Sequence, residues 1–380
     1  MCKSDSLESI LTRNQIPVHQ NRLISDQNVA IGVERGDLTL LICTQCGFIF
    51  NQTFESLKSG FGELYDSTQD TSSIFNNYLS DLLNYLVIQK NIQHSSIVEI
   101  GCGQGSFLRK LVEIKKWGNS GLGFDPSYRG VETDLEGCLK FDRRFFDSSC
   151  KDISANVILC RHVLAHIPEP INFLCTIRQT LVNSSDVRVF FETSSVEHTL
   201  QTQMIWDFFY EYCSYFSEES LTTTFEIAGF KVEKVQHVFG NQYLWLEAII
   251  PTEKPTITKK PEKILQLAKQ FASSEQMIMK KWQIKIQKLF SSGKIALWGA
   301  GAKGTTLANL VDPRREWIDC LIDLNPNKIG KYVAGTGHPI VSYKEIKNRE
   351  IKNIVLVNPI YHQEVSSLLR NENIKVNLIC

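Results

Sequence analysis

The run Val98-Glu99-Ile100-Gly101-Cys102-Gly103-Gln104-Gly105-Ser106-Phe107-Leu108 leaves this chain little choice of fold, because an apolar strand enters a glycine turn and leaves it as a helix. Gly101 and Gly103 free the backbone to turn sharply and approach a ligand, while Gly105 lets the helix lie against the strand. Asp125, closing Gly121-Leu122-Gly123-Phe124-Asp125, follows about twenty residues on, the separation at which the next strand presents a carboxylate to a ribose diol. A second strand and glycine turn, Lys294 to Gly304, has the form Gly-x-Gly-x-x-Gly, and Asp323 follows at the end of Leu321-Ile322-Asp323. On spacing alone that second turn is a dinucleotide fingerprint and admits a nicotinamide-dependent oxidoreductase. The expected fold is α/β, with two doubly wound Rossmann-like domains behind a small N-terminal cysteine (zinc-type) module.

Composition narrows the partners. The 380 residues exceed one ordinary domain. The expected division is a module over 1–65, a nucleoside-binding domain over 66–250, a linker and long helix over 251–290, and a second Rossmann-like domain over 291–380. Forty-one basic and 41 acidic residues cancel, leaving no electrostatic footprint for nucleic acid or an anionic membrane. A small-molecule partner fits better. Met1-Cys2-Lys3-Ser4-Asp5 lacks the apolar core of a signal peptide, and no run approaches a membrane span. A cytoplasmic location is expected, in keeping with 11 scattered cysteines such as Cys160 and Cys175.

Cys43-Thr44-Gln45-Cys46-Gly47 forms a Cys-x-x-Cys knuckle that supplies half a zinc site. Cys2 and His19 are the further candidate ligands, with Asp5 a poorer one. A redox pair is the alternative use of the same spacing. Pro251 through Lys263 is a polar, proline-punctuated linker. Ile264, Leu267, Phe271, Met277, Trp282 and Ile286 then recur at helical spacing and predict a long amphipathic helix whose stripe serves domain packing.

The first glycine turn resembles the leading motif of class I S-adenosylmethionine (SAM)-dependent methyltransferases, acidic-x-Gly-x-Gly-x-Gly. The resemblance implies that Glu99 works around the methionyl part of the cofactor beside Gly101, Gly103 and Gly105, and that Asp125 holds the ribose. Phe146 and Asp147 would flank the adenine. The fourth strand, Ala155 to Cys160, ends in Arg161 and His162, which fall at the cofactor end. His162 and His166 are four residues apart and would share a face of a helical turn.

The order of modules is similar to the family of sugar C-methyltransferases that act on nucleotide-linked deoxysugars. Of that family's two Cys-x-x-Cys pairs this chain keeps Cys43 and Cys46, while the first is reduced to Cys2 with Asp5 in its partner's place. The resemblance brings Tyr65 over the cofactor as part of the arm leading into the SAM domain. It gives His166, in Val163 to Ile167, a substrate contact. In the segment Trp206 to Ser217, Glu211 and Ser214-Tyr215-Phe216-Ser217 match the family pattern. The family's base histidine is replaced by Tyr212 and its tyrosine by Phe209. Tyrosine, with an ordinary pKa near ~10, removes protons poorly at neutral pH. Either Glu211 or His166 takes the base role, or the acceptor is already acidic or nucleophilic, as an enol, a hydroxyl or an amine would be. Tyr210 and Tyr215 are expected to line the substrate. The resemblance continues through Gly299 to Asn309 and Asp323 to Tyr332, so Gly301, Lys303 and Asn309 are expected on the acceptor. The readings that follow are a C-methyltransferase of a small molecule, an O- or N-methyltransferase, or a lapsed SAM-binding protein.

Overall fold

The computed structural model describes residues 2–56, 58, 64–66, 68–150, 153–181, 187–251 and 261–380. The linker expected at 251–263 lies, from 252 to 260, outside the described residues. The first sheet is antiparallel, with β1 (Leu7–Pro17) on β2 (Arg35–Cys43) and β2 on β3 (Ile49–Asn51). Its fourth strand comes from far along the chain: Ser214–Tyr215 pairs with β3. The aromatic segment that the sequence reading assigns to the middle domain thus completes the N-terminal sheet.

After a short helix at Gln27–Ile31 and then α1 (Ser73–Asn84), the central sheet begins with β4 (Ser96–Ile100), and α2 (Ser106–Val112) leads to β5 (Ser120–Phe124). β6 (Leu139–Asp142), β7 (Val157–Arg161), β8 (Arg188–Ser194), β9 (Lys231–Val238) and β10 (Tyr243–Ile249) complete its main strands. The order is β9-β10-β8-β7-β4-β5-β6, with a two-residue strand, Thr133–Asp134, on the β6 edge. β4 to β8 run parallel, and β10 is antiparallel to β8. Strand order reverses between β4 and β7, so the crevice of such a sheet lies outside their carboxyl ends. The central strands β4 and β7 are buried nearly throughout because helices cover both faces of the sheet there.

The third sheet is parallel, ordered Ile340–Val341, Ile318–Ile322, Lys294–Trp298, Ile351–Leu356, Asn377–Ile379. Between α3 (Val196–Thr202) and this sheet runs α4 (Glu262–Ser292). It buries Ile264, Ala268, Phe271, Glu275, Ile278 and Ile286, whereas Met277 is 55% exposed. The stripe passes through Ala268 and Ile278, and Met277 is corrected to the solvent face. Glu275 is buried because Arg13 of β1 reaches it at 2.8 Å. One apolar core joins β1, β2, the 196–215 segment, α4 and the third sheet, so the N-terminal module and the C-terminal sheet are packed as one body around the aromatic segment. Among the described residues, no helix is long and apolar enough to cross a membrane.

Candidate active site

The turn after β4 is built by backbone geometry that side chains resist. Gly101 has φ +73°, and a Cβ there would lie 2.0 Å from Val163 Cγ2. Gly103 has φ +56°, and a Cβ there would meet nothing within 4 Å. Gly101 is closed by protein, and Gly103 opens onto the crevice. At Gly105 a Cβ would strike the Phe141 ring at 2.4 Å, which is why α2 can lie so close to the sheet. The Gly103 N–H donates to Asp125 Oδ2 at 2.8 Å, and the Ser127 N–H and hydroxyl donate to Oδ1 at 2.8 and 2.6 Å. Asp125 is therefore fixed at the carboxyl end of β5.

Glu99 sits one residue before the end of β4, 2% exposed, with Oε2 lacking a hydrogen-bond partner. Burial pushes its carboxyl up to about 7, with Asp125 adding to the rise and Arg161 opposing it. A buried acceptor without a donor costs free energy until a ligand supplies one. The orphaned oxygen beside the open glycine fits a nucleoside with a cationic amino-acid tail.

Beside it, Arg161 Nε donates to Glu192 Oε2 at 2.6 Å, and the Tyr78 hydroxyl donates to Glu192 Oε1 at 2.5 Å. The Arg161 guanidinium lies 4.5 Å from the Phe107 ring centre. Burial pushes Glu192 upward, yet Arg161, His162 and Tyr78 outweigh it and hold the carboxyl below its ordinary value. Sequence reasoning missed Glu192. Its signal was an acid at the carboxyl end of the otherwise apolar Val189-Phe190-Phe191 run. His162 does not share a helical face with His166: it has φ +58°, and the helical turn spans only Leu164–His166. Its ring lies 4.5 Å from Tyr243 and its Nε2 3.6 Å from Glu192 Oε2. Burial lowers its basicity.

His166 is joined to the aromatic segment. Its Nδ1 lies 2.9 Å from the Glu211 carbonyl, and its ring meets Tyr212 edge-on at 4.8 Å. A carbonyl only accepts, so Nδ1 carries the hydrogen and Nε2 the lone pair. Burial pushes this imidazole down to about 4, which keeps it neutral and able to accept a proton at physiological pH while making it a weaker base than a free histidine. The Glu211 side chain faces elsewhere. Its Oε1 accepts from the Gln20 N–H at 2.7 Å and the Asn21 N–H at 3.3 Å, and Oε2 accepts from Asn21 Nδ2 at 3.3 Å. Burial raises its carboxyl to about 7. The Tyr212 hydroxyl accepts from Ser194 Oγ at 3.2 Å, and burial, with Asp207 and Glu211 nearby, drives its pKa still higher. Tyr212 is a neutral phenol, unsuited to removing a proton.

The structure gives several of the expected contact residues other partners. Tyr210 is 0% exposed against Gly36, and its hydroxyl accepts from the Glu55 N–H at 2.9 Å, so it belongs to the N-terminal core. Tyr215 is buried and donates to the Phe209 carbonyl at 3.0 Å. Phe146 packs edge-on against Phe124 at 5.3 Å, with its ring in the core. Asp147 is exposed and caps its own turn through Ser149. Tyr65 bridges Arg22, while its neighbour Asp66 accepts from Asn325 and Asn327 at 3.1 and 2.9 Å.

On the third sheet the Ala300 N–H donates to Asp323 Oδ2 at 2.8 Å, repeating the Gly103 to Asp125 bond. Gly301 caps α5 (Ala302–Val311). Lys303 is committed to Asp207 at 2.9 Å and Gln242 at 3.1 Å, which ties this helix to the middle domain. Asn309 Nδ2 is spent on the carbonyls of Thr305 and Ala334, both at 2.8 Å.

Cys2, Cys43 and Cys46 converge, their sulfurs all within 4.8 Å of one another. Three soft donors suit zinc. Burial raises Cys43, but N–H groups of Cys46 and Gln45 outweigh it and hold the thiol low, while burial pushes Cys46 up to about 12. His19 does not join them. Leu7 pairs with Cys43 at one end of β1, and Pro17 pairs with Arg35 at the other, which puts His19 roughly 30 Å away at ~3.3 Å per residue.

Residues 73–235 match a family model described as a methyltransferase domain, and residues 245–374 match one described as a C-methyltransferase C-terminal domain. The chain is 23% identical over 369 residues to the C-methyltransferase NovU of Streptomyces niveus, covering 90% of this chain and 84% of that protein. Among solved structures, magnesium protoporphyrin IX methyltransferase of Synechocystis PCC 6803 with bound SAH is 16% identical, over 50% of this chain and 89% of that one, with TM-score 0.37. The 1,6-didemethyltoxoflavin-N1-methyltransferase of Burkholderia thailandensis is 16% identical, over 48% and 83%, with TM-score 0.36.

Proposed function

We propose that this chain, a class I SAM-dependent methyltransferase, transfers the methyl group to an acidic carbon of a small molecule, with His166 as the base. When bound, SAM supplies an electrophilic methyl on a sulfonium, so the protein's task is to position the acceptor and control its proton. Glu99 would receive the cofactor's ammonium on its orphaned oxygen, Asp125 its ribose, and Gly103 would leave room for the backbone to approach. The Arg161–Glu192–Tyr78 cluster would keep this wall rigid and charged.

The observation that carries the base assignment is the bond from His166 Nδ1 to the Glu211 carbonyl, which fixes the tautomer in which Nε2 is the basic nitrogen. Glu211 would act through that carbonyl and through its hold on Gln20 and Asn21, as a positioning residue. Tyr212 would orient His166 by its ring. A carbon acceptor is favoured by the C-methyltransferase relative and by the match to a C-methyltransferase C-terminal domain. A nucleoside-diphosphate-linked keto sugar has both an acidic carbon beside its carbonyl and a nucleotide for the third sheet to hold. We also assign Cys2, Cys43 and Cys46 to one structural zinc whose fourth ligand is not His19.

The test uses SAM carrying a 13C methyl with such keto sugars, read by NMR. A product methyl at an aliphatic carbon shift supports the reading. One at a methoxy shift refutes carbon transfer, and the base assignment fails if His166→Ala retains wild-type turnover.

A further inference from the structure

A cavity of about 270 Å3 lies between β1 and α5, with Thr305, next in sequence to Gly304 of the second glycine turn, in its wall. One wall is a bulge: pairing of β1 with β2 slips between Arg13 and Ile16, and Gln15 takes φ +52°. The other wall is the side of α5 carrying Thr306 and Leu310. The volume is close to the ~300 Å3 at which sites for small molecules begin.

Its electrostatics are one-sided. Among the described residues no aspartate or glutamate lines the cavity and two arginines do, while Asp37 stands behind the bulge and accepts from the Gln15 N–H at 2.8 Å. The charge of Arg13 is met by Glu275 at 2.8 Å. Arg35 instead places Nη1 on the Gln15 carbonyl at 2.9 Å and Nη2 on the Gly335 carbonyl at 3.0 Å. Neutral carbonyls do not cancel a guanidinium's charge, so half-buried Arg35 still attracts an anion that enters.

The walls also hold the catalytic segment. Arg13 donates to the carbonyls of Ile205 and Phe208 at 2.7 and 3.1 Å. Gln20, which also lines the cavity, gives its N–H to Glu211 at 2.7 Å and takes the Glu211 N–H on Oε1 at 3.3 Å. We propose that this cavity is a second binding site, taking a small anion through a carboxylate or phosphate group seated on Arg35.

The test is calorimetric titration of the full chain, saturated with S-adenosylhomocysteine so that the cofactor crevice is closed to the probes. Sodium pyrophosphate and sodium citrate are titrated against chloride at matched ionic strength. Millimolar or tighter binding is expected for at least one: pyrophosphate alone assigns the site to phosphates, citrate alone to carboxylates, and both to anions of either kind. Arg35→Gln should weaken that binding at least tenfold, and Leu310→Phe, which fills the cavity from α5, should abolish it. Both variants should keep wild-type affinity for S-adenosylhomocysteine, and if one fails to fold the other still decides. Silence of both probes in the wild type, or binding unchanged in a folded variant, overturns the proposal.

Discussion

Replacing Glu99 by Gln isolates the group on which the proposed cofactor recognition turns. Its carboxyl rises from an ordinary 4.5 to about 7 because it is 2% exposed, with one oxygen unpartnered. At ~1.4 kcal/mol per tenfold, that rise costs the ligand-free protein about 3 kcal/mol once the group is ionised. The sign is opposite to that of most carboxylates. The folded state holds the proton more tightly than the unfolded one, so this contribution is favourable in acid and is lost as pH climbs from about 4.5 through 7. A cationic ligand wants the ionised form. SAM affinity is therefore predicted to rise about tenfold from pH 6 to pH 8, since at pH 6 a group of pKa about 7 is nine-tenths protonated. Calorimetric titration with SAM at pH 6, 7 and 8 reads this directly. Glu99→Gln should bind SAM more weakly with a flat profile, and in urea at pH 8 the ligand-free variant should be the more stable one. A flat profile in the wild type, or an unchanged slope in the variant, would refute the reasoning.

Three further outcomes are expected. Gly101→Ala puts a methyl 2.0 Å from Val163 at φ +73° and should cost at least ~2 kcal/mol in chemical denaturation, whereas Gly103→Ala should pay only the ~1–2 kcal/mol of left-handed backbone and lose cofactor affinity instead. Glu275→Ala strands the Arg13 guanidinium, whose side chain is 6% exposed, and should destabilise the chain by ~3–5 kcal/mol on the same assay. Purified protein should carry one zinc per chain by elemental analysis, Cys46→Ser should lose it, and His19→Ala should keep it.

Much of this fold was legible because glycine turns and apolar strands are local signals. Gly101, Gly103 and Asp125 could be placed from spacing alone, and hydrogen bonding at Asp323 repeats the pattern of Asp125. What spacing could not give was direction. Tyr210 and Tyr215 sit in a segment rich in polar and aromatic groups, yet each spends its hydroxyl on backbone inside the core, and the half-buried Asn309 spends its Nδ2 on backbone carbonyls. His19 is close to Cys2 in sequence, but an eleven-residue strand carries it away from the thiols. Glu192 escaped notice because one acid closing an apolar run is a weak local signal, and its role shows only when Arg161 and Tyr78, from other elements, are seen around it. The long helix was visible by its period, but Met277 and Ile278 are neighbours, and only packing decides which of them is buried.

The central claim is that His166, and not Tyr212 or the Glu211 carboxylate, takes the acceptor's proton. The most direct measurement is solvent exchange without methyl transfer: the keto sugar acceptor is incubated in D2O with enzyme and S-adenosylhomocysteine, and loss of the proton beside the carbonyl is followed by NMR. The account predicts exchange in the wild type and in Tyr212→Phe, and a fall of at least ~100-fold in His166→Ala. Exchange that survives in His166→Ala while vanishing in Tyr212→Phe would contradict it.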